Sequence, residues 1–226
     1  MLKEFIKNLD YAKSALIGTI LADGYLQKER KCSYKDKTYL EITHTSKNLD
    51  YLKAVKEIIE LLPNTVCSIK EHNKNTVDKK YFLYRLTTNS TTYFKELRDM
   101  LYKNNEKIFP KEVIDNFNSL SLLLLYLDDG TLRVRYYEGT PKLREARITF
   151  CLDSFTYSEL LYFKQFLHKK YGIKSKLYRH SKNLPIDRGF RLWTNTENTK
   201  KFMEIIDKYY NKVPSMNYKF LKYYSL

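Results

Sequence analysis

The chain has 226 residues, enough for one large domain or two small ones with a buried core. Its 41 Lys and Arg outnumber 26 Asp and Glu, and the resulting charge of +15 excludes a strongly basic partner and points to a polyanion such as nucleic acid. With 43% hydrophobic and 15% aromatic residues it is not a disordered basic tail.

Lys3, Lys7 and Lys13 ahead of the apolar run 15–22 resemble a leader, but Glu4 and Asp10 interrupt it and Asp23-Gly24 follows directly. The apolar run 120–127 is well short of the ~20 residues that cross a bilayer. The expectation is a soluble, non-secreted protein with no membrane partner. Apolar periodicity predicts a helix over 12–24, strands over 25–30 and 38–45, a helix over 49–62, strands over 66–72 and 81–88, and a helix over 91–103. The segment KIFPKEVIDNF at 107–117, with Pro110, reads as a linker. Helices over 119–130, 156–171 and 197–210 then alternate with strand pairs at 131–137 and 145–152, and at 174–180 and 189–195.

The order repeats because the sequence repeats. LIGTILADG at 16–24 answers LLLLYLDDG at 122–130, so Asp23 and Asp129 lie 106 positions apart. RLTTNS at 85–90 answers RLWTNT at 191–196 at that same offset. Ser46 and Ser154, 108 apart, each open a helical pattern as a capping residue, which implies a two-residue insertion in the second copy. An α+β fold follows, with αββαββα halves at 1–105 and 119–226, a linker at 106–118 and a pseudo-two-fold axis. Cys32, Cys67 and Cys151 are odd in number and widely spaced, so no disulfide framework is implied, and the four histidines form no zinc spacing.

Leu16, Ile20 and Asp23 share one helix face, and Gly18 and Ala22 would admit another helix at close range. An acid in the last turn meets the negative end of the helix dipole, at a cost of roughly 0.3–1 kcal/mol. Gly24 and Gly130 are expected to end each helix in the left-handed conformation. A solvated Asp-Gly stop would explain one copy. Two such helices packed together would set two carboxylates side by side, where repulsion favours a divalent cation with oxygen ligands. Paired acids, a metal and a basic strand-rich surface suggest phosphodiester hydrolysis by metal-activated water.

These two runs resemble the signature helices of monomeric, double-motif LAGLIDADG homing endonucleases of the intron-encoded kind, and the resemblance extends over nearly the whole chain. The second run departs from the signature with Leu124 in place of glycine and Asp128 in place of alanine, which implies a differently packed helix interface. The resemblance implies that Asp23 and Asp129 bind the essential Mg²⁺, with Mn²⁺ able to substitute, helped by the backbone carbonyls of Ala22 and Asp128. Each acid would serve one strand cut. It further implies a catalytic basic residue beside each acid. KIFP at 107–110 and VPSMNYK at 213–219 point to Lys107 and Lys219, with Lys212 of KVP as the rival by internal symmetry.

Strand alternation selects the residues that would face DNA. Leu132, Val134, Ile148 and Phe150 look inward, leaving Arg133, Arg135, Arg147 and Thr149 outward. The same logic exposes Arg191, by repeat symmetry Arg85, and in GYLQKER Gln27 and Glu29, with Arg30 at the turn. Arg and Gln read guanine and adenine edges in the major groove, and the remaining cations hold phosphates. Most tyrosines sit at helical spacing and read as core or helix surface.

The resulting expectation is a monomeric, site-specific double-strand DNA endonuclease that leaves short 3′ overhangs. Rivals are a maturase that binds intron RNA, a non-cleaving DNA-binding regulator on the same fold and a generic basic structural protein. Abundant Lys, Asn, Ile and Tyr fits an intracellular protein of an AT-rich genome, in an organelle such as the mitochondrion, a phage or a low-GC bacterium.

Overall fold

A computed structural model describes residues 2–28, 37–72 and 82–224. In chain order it contains α1 (Leu9–Leu21), β1 (Tyr25–Lys28), β2 (Thr38–Thr45), α2 (Leu49–Ile59), β3 (Cys67–Glu71), β4 (Leu83–Thr88) and α3 (Thr92–Leu101). A short hairpin, β5 (Tyr102–Lys103) and β6 (Glu106–Lys107), leads to α4 (Lys111–Asp115). The second series is α5 (Ser119–Asp129), β7 (Gly130–Tyr136), β8 (Leu143–Phe150), α6 (Tyr157–Tyr171), β9 (Lys176–Arg179), β10 (Phe190–Trp193) and α7 (Thr196–Ile206), closed by 3-10 turns that include Pro214–Lys219. No helix among the described residues is long and apolar enough to cross a membrane.

The strands form two four-stranded antiparallel sheets of matching order, β1-β2-β4-β3 and β7-β8-β10-β9. Their registers locate the insertion. Leu26 faces Leu40 where Leu132 faces Ile148, and Ile42 faces Leu86 where Phe150 faces Leu192. The extra two residues therefore lie in the β7–β8 hairpin, and the offset has returned to 106 by β10. Alternation holds: Leu40, Ile42, Ile148 and Phe150 are buried while the residues between them are half-exposed.

Helices α1 and α5 pack against each other at the centre of the molecule. Ser14 Oγ lies 2.9 Å from Ser121 Oγ and donates to Asn116 O at 2.7 Å, satisfying hydroxyls that the close approach buries. Gly18 makes the approach possible, because a Cβ there would stand 2.2 Å from the Ser121 carbonyl oxygen. In the second helix Leu124 is fully buried. The segment at 107–117 is folded rather than loose. Phe109 and Phe117 are buried and pack against the Phe163 ring of α6, tilted in one case and edge-on in the other, and the Phe109 N–H donates to Glu159 Oε1 at 2.7 Å.

Several local expectations are corrected. Neither Gly24 nor Gly130 is left-handed, and Gly130 is extended at φ −94°. Both are required by space instead, since a Cβ would meet Ile20 Cα at 2.9 Å in one case and the Tyr126 ring at 2.0 Å in the other. Asp129 is the last residue of α5, but α1 stops at Leu21, so Asp23 lies beyond its helix rather than in the last turn. Ser46 and Ser154 are not caps. A 3-10 turn at Ser46–Asn48 precedes α2, and Thr156 caps α6 in a reciprocal box with Glu159.

Candidate active site

The C-terminal ends of α1 and α5 lie side by side, and five charged groups converge there. Asp23 and Asp129 follow from chain geometry; Asp128 is added because it precedes Asp129 on a helix that ends against α1. Burial comes first in raising both flanking acids, and the neighbouring carboxylates add to it. Asp23 is raised by burial and by Asp128, against the opposing pull of His44, Lys107 and Lys219. Asp129 is pushed up to about 7 by burial, Asp23 and Asp128, with both lysines opposing.

The two lysines do equivalent work in the two halves. Lys107, at the end of β6, donates to Ala22 O at 2.5 Å and to Leu21 O at 3.4 Å, the carbonyls that α1 leaves open. Lys219, buried at the end of the Pro214–Lys219 turn, donates to the Leu127 carbonyl, to Gly130 O at 2.9 Å and to Asp128 O at 3.5 Å. Burial lowers both, Lys107 to about 8, while the acids pull the other way. Tyr126 anchors the second lysine by donating its hydroxyl to the Lys219 carbonyl at 2.7 Å. Lys212 takes no part: it pairs with Glu4 at 3.1 Å and sits over the Phe5 ring.

Three side chains that sequence reasoning left aside complete the centre. Thr19 Oγ1 donates across the helix interface to Asp128 Oδ2. His44 Nε2 lies 3.4 Å from Asp128 Oδ1 and 3.8 Å from Asp23 Oδ2. Tyr51, fully buried, crosses the His44 ring edge-on at 5.1 Å, and burial with Asp128 nearby holds its hydroxyl well above the ordinary range. The signal for His44 was present in β2, where alternation sets it on the same buried face as Leu40 and Ile42. Asp23, His44 and Asp128 offer ligand atoms all within 4.8 Å of one another, so these residues fit a divalent cation.

The outward sheet faces are basic, unequally so. In the second half Arg133 and Arg135 are exposed. Arg147 and Thr149 are half-buried, and Arg147 bonds Glu145 at 2.7 Å while lying 4.3 Å over the Trp193 ring. Arg191 is less open than alternation suggested because it is clamped to Asp153 at 2.7 Å. In the first half Arg85 bonds Glu41 at 3.1 Å and His72 at 2.7 Å, and Gln27 is half-buried and donates to Lys28 O at 3.3 Å. Glu29 and Arg30 lie outside the described residues.

A family model described as the LAGLIDADG DNA endonuclease family matches residues 13–219, which takes in both acid-bearing helices and both sheets. The chain belongs to this family. It is 26% identical over 223 residues to the cytochrome b mRNA maturase bI2 of Saccharomyces cerevisiae and 23% identical over 215 residues to protein RecA of Mycobacterium shimoidei. Those matches cover 93% and 94% of this chain but 47% of each relative, so the chain spans about half the length of the curated relatives it matches. Among solved structures, the homing endonuclease I-WcaI bound to its DNA recognition sequence superposes with a TM-score of 0.71 at 19% identity, over 97% of this chain and 90% of that one. An I-DmoI variant in complex with its target DNA in the presence of Mg superposes with a TM-score of 0.56 at 18% identity, over 89% and 98%. The fold is thus the double-motif LAGLIDADG architecture, with α1 and α5 as its two motif helices.

Proposed function

We propose that this LAGLIDADG protein is a monomeric, site-specific endonuclease that hydrolyses one phosphodiester bond in each strand of a long, asymmetric duplex DNA site with Mg²⁺, or Mn²⁺ in its place, and leaves short 3′ overhangs. The observation that carries this reading is the meeting of Asp23 and Asp129 where two packed helices end, each acid raised by burial and by its neighbours and each flanked by a lysine, half-buried Lys107 and buried Lys219.

Asp23 and Asp129 supply carboxylate oxygens, with the carbonyls of Ala22 and Asp128 behind them. A bound divalent ion would polarise the scissile phosphate and lower the pKa of a water molecule. Lys107 and Lys219 hold the helix-end carbonyls in place and keep positive charge where phosphate charge builds in the transition state. Arg133, Arg135, Arg147, Thr149, Arg191, Arg85 and Gln27 would form the duplex-facing surface, its arginines taking base edges or phosphates. Glu29 and Arg30, outside the described residues, are proposed as further DNA contacts on the sequence pattern alone. Similarity to DNA-bound I-WcaI supports the choice of duplex DNA. A second reading, splicing assistance to intron RNA, is favoured by the similarity to the maturase bI2.

The test is incubation with a randomised duplex library in Mg²⁺ and in Ca²⁺, beside an Asp23→Asn variant, followed by sequencing of cut ends. Cleavage at one long site, lost in the variant, is the expected result. Retention of DNA without cutting under any divalent ion sinks the nuclease reading in favour of a regulator, and indifference to DNA with capture of intron RNA favours the maturase.

A further inference from the structure

The two halves differ at many matched positions across the centre, and two of those differences meet. On the motif helices the offset of 106 sets Ala22 against Asp128. Carried two residues past the end of β8, the offset of 108 between β2 and β8 sets His44 against the buried Leu152. Each half therefore carries one polar residue where the other carries an apolar one, and the two polar residues meet. The Asp128 side chain is 0% exposed and that of His44 8% exposed. Among the described residues neither His44 Nε2 nor Asp128 Oδ1 has a hydrogen-bond partner, although they face each other at 3.4 Å. Leaving such atoms buried and unsatisfied is costly, by about 1–3 kcal/mol each and more when charged. A shared ligand removes that cost.

We infer that Asp23, His44 and Asp128 form a single asymmetric site for a first-row transition-metal dication, with no counterpart in the second half. The donor set argues for the class of ion. Mg²⁺ takes oxygen ligands and sheds water reluctantly, whereas an imidazole nitrogen beside carboxylates suits Mn²⁺ and its neighbours. Metal–ligand bonds of about 2.0–2.2 Å bring neighbouring donor atoms to roughly 3.0–3.4 Å of each other. The 3.4 Å pair is already there, and Asp23, whose side chain is 42% exposed, is free to swing in from 3.8 Å. Thr19 fixes the orientation by occupying Asp128 Oδ2, which turns Oδ1 toward His44. The site shares Asp23, and the residue Asp128 through its side chain rather than its carbonyl, with the proposed cleavage centre, and the ion would bind whether or not DNA is cut.

The test uses the full chain, stripped of metal by a chelator and free of DNA, titrated with Mn²⁺ while electron paramagnetic resonance follows free and bound ion. One tight site is expected, carrying nitrogen hyperfine coupling from imidazole and resisting a tenfold excess of Mg²⁺. His44→Gln should abolish the nitrogen coupling, and either His44→Gln or Asp128→Asn should weaken binding by about 10–100-fold or more. Asp129→Asn should keep the coupling. Circular dichroism confirms that the variants are folded. If a variant unfolds, the wild-type spectrum still decides: bound Mn²⁺ without nitrogen coupling, Mn²⁺ displaced by equimolar Mg²⁺, or no binding at all overturns the site and leaves a bare His–Asp pair. Coupling without DNA cleavage would keep this inference and remove the nuclease, and cleavage without coupling would do the reverse.

Discussion

The two halves of this protein share sheet order, strand register and the placement of a lysine on the open carbonyls of each motif helix, yet they reach the same backbone with different side chains. The first motif helix is thin at Gly18 and stops at Leu21, two residues before an exposed Asp23; the second is filled at Leu124 and ends in the pair Asp128 and Asp129. The second core is rich in rings packed edge to face, among them Phe117, Phe150, Phe163 and Phe202, where the first relies on aliphatics such as Leu40, Ile42, Val55 and Leu86. Pseudo-symmetry here constrains the path of the chain, because strand pairing and helix packing are set by backbone hydrogen bonds and volume. Individual side chains remain free to diverge wherever the partner across the axis diverges with them.

The most severe way to break the comparison is to remove one acid at a time. Asp23→Asn and Asp129→Asn should each lower double-strand cleavage by more than about 100-fold, the upper figure for losing only an outer partner of a metal ligand. Each should leave nicks in opposite strands, measured on end-labelled duplex. Nicks in the same strand would mean that the halves do not act on separate bonds.

The helix interface should fail in opposite senses. Leu124→Ala should cost about 2–5 kcal/mol by opening a cavity. Gly18→Ala should cost about 1–3 kcal/mol or more by driving a methyl into the Ser121 carbonyl. Urea denaturation of both variants checks this, and equal tolerance of alanine at both sites would mean that the two helices are more alike than their sequences.

On the sheet surfaces, Arg133→Ala should reduce the slope of log affinity against log salt by about 0.9 for each phosphate that is no longer neutralised. Arg85→Ala should change it less, since Glu41 already compensates that charge. Filter binding across a salt series separates the two.

The smallest effect concerns pH. The folded-state pKa of Asp129, about 7, lies above its ordinary 3.8, so its contribution to stability is full below about 3.8 and is lost as pH rises toward 7. Melting of the metal-free protein should therefore fall by the order of a few degrees across that window. Asp129→Asn should flatten the fall.

Much of this was legible in one sequence. The 106-residue repeat, the acid-glycine ends and the strand alternation are local or self-referential patterns, and they led to α1, α5, both sheets and the two acids, whereas the two lysines came only from the family resemblance. The choice of Lys219 over Lys212 rested on a short motif read through that resemblance; in the structure Lys212 pairs with Glu4. Other features were out of reach. Whether Gly24 and Gly130 are needed for their dihedral angles or for lack of a Cβ depends on what lies beside them, Ile20 in one case and the Tyr126 ring in the other. Asp128 looked like a defect in a motif, and His44 like one more residue on an apolar strand face.

The sequence by itself determined the repeated architecture and the identity of the two acid-bearing helices, because periodicity and internal repetition are carried by neighbours along the chain. Only the tertiary structure decided that Thr19, His44 and Asp128 converge. They come from separate elements of both halves, and the packing of α1 on α5 closes those gaps through contacts that no local pattern encodes.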